Sequence, residues 1–106
     1  MTKQTVYISG PMTGVPGLNK HAFNEAEAAL RAAGFEVVNP VHNGVPDSAA
    51  WDEHLRADIK MLMACTGVAM LDRWWLSKGA RLENNIADRL GMRVMSLEEW
   101  LRGVPA

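Results

Sequence analysis

The sequence predicts an α/β domain, a mostly parallel sheet with helices on both faces. Short β-rich runs alternate with stretches of helical period along the whole chain. Glycine or Asn-Pro punctuates the runs, at Gly10-Pro11, Gly34, Asn39-Pro40 and Gly91. A length of 106 residues with 48% hydrophobic content suits one domain, residues 1–106, with a real core.

"TVYIS" (5–9) is the first strand, ended by a sharp Gly-Pro turn. "GPMTGVPG" (10–17) is a glycine- and proline-rich loop. Leu18, Ala22, Ala26, Ala29, Leu30 and Ala33 keep helical period, so a helix runs from Leu18 to Ala33, and Gly34 stops it. "FEVV" (35–38) is a second strand, followed by a polar loop over 39–48. A second helix spans about Ala49 to Cys65, with Trp51, Leu55, Ile59, Leu62 and Cys65 as its apolar stripe. "GVAMLD" (67–72) is the third strand and "RWWLSK" (73–78) a loop. A third helix begins at Gly79 or Ala80 and ends near Gly91, with Leu82, Ile86, Ala87 and Leu90 as its stripe. "MRVMSL" holds a fourth strand and "LEEWLRG" a short last helix. Parallel strands joined this way need right-handed crossovers, and ligands of such sheets bind beyond the carboxyl ends of the strands.

Two carboxylates fall inside the apolar stripes. At about 100° per residue, Glu83 lies between Leu90 and Ala87, and Asp58 lies between Cys65 and Trp51. A buried carboxylate costs several kcal/mol unless paired or neutralised. Glu83 is placed in the first turn of its helix, where the helix dipole favours an ionised acid; a capping box there needs Ala80 as its cap, a poor residue for it. Asp58 is mid-helix, so neither explanation applies, and a satisfied core acid is the alternative. Asp72 ends the third strand and either joins the cluster or caps the loop. Clustered carboxylates push their pKa values apart and form acid/base pairs.

Tyr7 and Ser9 share one face of the first strand, two residues apart. Gly10, Gly14 and Gly17 match neither the dinucleotide fingerprint nor a P-loop, yet the loop, with Thr13 as a donor, suits close approach to a sugar or phosphate. Asn19 faces a ligand or the loop. Trp74-Trp75 suits stacking on a planar base or a subunit interface.

A net charge of −1, with acids and bases interspersed, argues against a nucleic-acid polymer or a membrane surface as the main partner. No apolar run has transmembrane length. The opening "MTKQTVYISG" enters a strand at once and does not read as a leader, and one cysteine, Cys65, fits a reducing cytoplasmic setting. His21, His42 and His54 are too far apart for a metal site, so neither metal nor other cofactor is expected.

"YISGPMTG", "AFNEAEAALRAAGFEVVNP", "LRADIKMLMACTGVAMLD" and "GARLENNIA" together resemble the nucleoside 2-deoxyribosyltransferase superfamily over about residues 5–95, most of all its small phage and prophage members. The resemblance implies a flavodoxin-like, Rossmann-like three-layer sandwich with a four- to five-stranded sheet. It implies cleavage of the N-glycosidic bond of a small nucleoside or nucleotide, by hydrolysis or by transfer of the sugar, without cofactor. Glu83 then matches the nucleophile, Asp58 the acid that protonates the departing base, and Tyr7 the partner of the nucleophile. Ser9, Gly10, Pro11, Thr13, Asn19, Asp72, Trp74 and Gly79 are the substrate-binding candidates. A small sheet whose loops carry Trp74 and Trp75 is expected to form a homodimer or larger assembly. Where relatives carry a further acid, this chain has "RWWLSK", which keeps a non-catalytic nucleotide-binding module as the alternative. With Glu83 ionised and Asp58 protonated, activity is expected to follow a bell with a mildly acidic optimum.

Overall fold

Alternation along the first strand, β1 (Thr5–Ser9), divides the molecule. Val6 and Ile8 point to one side of the sheet and Tyr7 and Ser9 to the other, because successive strand residues face opposite ways. The computed structural model describes residues 4–103, so the first three residues of the opening stretch lie outside it. After β1 come α1 (Lys20–Ala32), β2 (Glu36–Val38), α2 (Trp51–Leu62), β3 (Gly67–Met70), α3 (Lys78–Arg89), β4 (Arg93–Ser96) and α4 (Leu97–Arg102). The sheet order is β2-β1-β3-β4, and every pair is parallel, with Val6 opposite both Val37 and Gly67 and Tyr7 opposite Val68. The fold is the α/β, Rossmann-like three-layer arrangement expected.

One face carries α1 and α4. Val6, Ile8, Val37, Ala69 and Leu71 pack there against Phe23, Ala26 and Leu30 of α1 and Trp100 of α4. Trp100 closes this layer: its indole nitrogen donates to Val68 O at 2.8 Å, and its ring lies so close to Gly67 that a Cβ there would meet it at 2.6 Å. The other face carries α2 and α3, with Tyr7, Leu62, Cys65, Val68 and Ala87 at its centre.

The helix boundaries shift from the sequence reading for local reasons. Gly17, Leu18 and Asn19 have positive φ, so Pro16–Asn19 is a separate tight turn and α1 starts at Lys20. α3 starts earlier than expected, because Ser77 caps it: its Oγ accepts from Ala80 N at 3.1 Å. Glu83 is therefore in the second turn, beyond the reach of the helix dipole's positive end. The expected stripe of α3 is also rotated. Ala80, Glu83, Asn84 and Ala87 are buried, whereas Leu82 is 39% and Leu90 60% exposed. On α2, Asp58 and Leu62 face inward and Trp51 is 49% exposed.

Candidate active site

The strand order reverses between β1 and β3, whose carboxyl ends open into a crevice. A cavity of about 290 Å³ lies there, small for a ligand pocket but sufficient for a nucleoside-sized molecule. Its wall combines the loop after β1, the loop after β2, α2 and the start of α3.

Glu83 forms part of that wall and is only 5% exposed. Tyr7 Oη donates to its Oε2 at 2.7 Å, and Ser9 Oγ donates to its Oε1 at 2.8 Å. The two donors come from alternate positions of β1, on the face opposite the apolar core. Both bonds favour the ionised carboxylate, but burial outweighs them and the charge of Asp58 adds to it, so the pKa of Glu83 is pushed up to about 7. Tyr7, buried beside that negative charge, is held well above its ordinary value and remains a donor.

Asp58, from the middle of α2, lines the same cavity. Burial raises its pKa, while a hydrogen bond from Asn43 and the proximity of His54 pull it down. Asn43 Nδ2 donates to Asp58 Oδ1 at 2.9 Å. The two carboxylates thus share one cavity with different supports: hydroxyls beneath Glu83, an amide beside Asp58.

Gly10, Thr13 and Gly79 also line the cavity. Gly10 is required by its neighbour, since a Cβ there would lie 2.8 Å from Leu71 Cβ. Lys20 and Asp47 pair at 2.6 Å, both on the cavity wall, joining the start of α1 to the loop after β2. Four of the candidates stand elsewhere. Pro11, Asn19 and Asp72 line a separate open groove on the α1 side. Asn19 Nδ2 donates to Pro11 O at 2.9 Å, bracing the loop, and Asp72 is exposed. Trp74 lies off the cavity wall, edge-on to Trp75 at 6.2 Å between centroids.

Sequence reasoning passed over Asn43, His54, Asp47 and Ser77, all of which line the cavity. Ser77 had a readable signal, a good cap residue just ahead of a helical run. Asn43 falls in the polar loop over 39–48, and nothing in the sequence aims its amide at a residue fifteen positions on. Among the described residues, no group of three or more His, Cys, Asp or Glu side chains could hold a metal ion.

The arrangement is a parallel α/β fold with two buried acids at the switch point. The chain belongs to the DUF4406 family, described as a domain of unknown function, which it matches over residues 4–96. Among solved structures it is similar to the 2-desoxiribosyltransferase from Leishmania mexicana, with 22% identity and a TM-score of 0.66. The match covers 88% of this chain and 63% of that one, so this chain spans less than two thirds of its length. No curated protein matches the sequence. Among the described residues, no helix is long and apolar enough to cross a membrane.

Proposed function

We propose that this protein cleaves the N-glycosidic bond of a small nucleoside or nucleotide, with Glu83 as nucleophile and Asp58 as proton donor. The observation that carries the reading is the double hydroxyl support of a buried carboxylate, Tyr7 and Ser9 on the two oxygens of Glu83, at a cavity shared with Asp58. The likeness to a 2-desoxiribosyltransferase supports it at the level of fold.

Glycosidic cleavage passes through a sugar with oxocarbenium character, which needs electron density below C1′ and a proton for the leaving group. A Glu83 oxygen forms the new bond to C1′. The C1′–N bond breaks, its electron pair goes to the base nitrogen, and that nitrogen takes the proton of Asp58. Water or a second base then attacks C1′ and gives its proton to Asp58, and Glu83 is released. Hydrolysis and sugar transfer differ only in that acceptor. Gly10, Thr13 and Gly79 bound the space for the sugar. Exposed Trp51, Trp75 and Leu76 support assembly into a homodimer or larger oligomer, and the single cysteine supports a cytoplasmic setting.

The test is release of free base from a panel of nucleosides and their 5′-monophosphates. Wild type is expected to release base, and Glu83→Ala to lose about 10⁴-fold or more of that rate while remaining folded. Undiminished release by the variant would remove Glu83 from the chemistry. A ligand-dependent rise in Tm with no product from any member of the panel would favour the binding module instead.

A further inference from the structure

Asn43 spends its hydrogen-bonding capacity in a way that the cleavage reaction alone does not explain. Its Nδ2 donates to Asp58 Oδ1 at 2.9 Å and lies 3.2 Å from His54 Nδ1, and its Oδ1 accepts from Val45 N at 2.9 Å. The Val45 N–H decides which end of the amide is which. A flipped amide would set two donors against each other there and turn its carbonyl oxygen toward the Asp58 carboxylate. An amide NH₂ has two protons, so both remaining contacts form together when His54 Nδ1 is the bare ring nitrogen and its proton is on Nε2. Asp58 Oδ2, by contrast, has no hydrogen-bond partner among the described residues. No buried side-chain oxygen there lacks a partner, so Oδ2 keeps some exposure, on a residue that lines the cavity.

We infer that Asn43 is a positioning residue for the proton given to the leaving base: by occupying Asp58 Oδ1 it leaves the carboxyl proton on Oδ2, the oxygen that keeps some exposure. His54, one turn earlier on α2, takes the second amide proton and steadies the orientation. When the C1′–N bond breaks, the base nitrogen takes the Oδ2 proton and Asp58 becomes ionised. The Asn43 bond is stronger to that carboxylate than to the acid, so it strengthens as the proton leaves. The titratable and polar groups around Asp58 are Glu83 from α3, Tyr7 from β1, His54 on its own helix and Asn43 from the loop. The consequence for catalysis rests on the glycosidase reading; the tether itself does not.

Two variants separate positioning from loop structure. Asn43→Ala removes both functions of the side chain, while Asn43→Asp keeps an acceptor for Val45 N and loses the donor to Asp58. Two readouts apply to each: the titration of the Asp58 carboxyl carbon followed by NMR, and kcat on a natural nucleoside against one with an activated leaving group. The titration of Asp58 is expected to move up by about one unit in Asn43→Ala and further in Asn43→Asp. Base release from the natural nucleoside is expected to fall about tenfold or more, with little change on the activated one. Wild type that releases base, with Asp58 titrating unchanged in both variants or with equal slowing on both substrates, overturns the inference alone. Wild type that releases no base overturns the glycosidase reading, and an unmoved Asp58 titration in that protein overturns the tether as well.

Discussion

The two faces of the sheet meet at β1 and are packed to different ends. On the α1/α4 side, Val6 and Ile8 sit among Phe23, Leu30 and Trp100 in an apolar cluster. On the α2/α3 side the same strand presents Tyr7 and Ser9, and their hydroxyls hold a carboxylate that burial would otherwise expel. The first layer gains stability from each buried group. The second keeps Glu83 in a place that opposes its charge. One strand with period two thus separates what holds the protein together from what gives it a reactive group.

The largest effect expected on the apolar side comes from Leu30→Ala. Leu30 is fully buried, and the cavity left behind should cost about 3 kcal/mol, read by urea unfolding. A cost below about 1 kcal/mol would mean that the α1 layer collapses to fill the gap. Glu83 behaves in the opposite sense. Its pKa rises from 4.5 to about 7 on folding, so the folded state keeps a proton that the unfolded chain releases. Stability is lost as pH rises from about 4.5 to about 7 and is flat above that, for this group. Glu83→Gln lacks this penalty. Its stability relative to wild type should grow across that window, by about 3 kcal/mol at most once pH passes 7, while base release is lost. A difference between the two proteins that does not vary with pH would contradict the buried, perturbed state of Glu83. Tyr7→Phe is the smaller case. Removing a donor to the ionised form raises the pKa of Glu83, so the acid limb of the pH–rate profile should move up by about one unit. An unmoved limb would reduce Tyr7 to packing.

Much of this division was legible in the sequence. Strand and helix alternation predicted the parallel sheet, and the wheel placed Glu83 and Asp58 inward, as they are. The wheel misplaced their neighbours, because an apolar side chain exposed on a small protein, such as Leu90, looks the same in sequence as a buried one. The expected mildly acidic optimum came from putting Glu83 at the helix's positive end. Capping by Ser77 moves Glu83 to the second turn, and burial then dominates, so its pKa is pushed up to about 7. Asp72, Pro11 and Asn19 were substrate-binding candidates, yet they line a separate groove on the α1 side. Asn43 was invisible for a different reason: its role depends on a long-range approach of loop and helix that no local pattern encodes.

The central claim is that Glu83 bonds to the sugar, and a trapped intermediate tests it most directly. In Asp58→Asn, a nucleoside with an activated leaving group needs no proton for the first step, but the second step loses its base. The glycosyl ester on Glu83 should therefore accumulate. Rapid quenching and peptide mass mapping are expected to find the mass of the sugar on the peptide that contains Glu83, with a matching burst of released base. Base released steadily with no adduct, or an adduct on another residue, would contradict the assignment of Glu83 as the nucleophile.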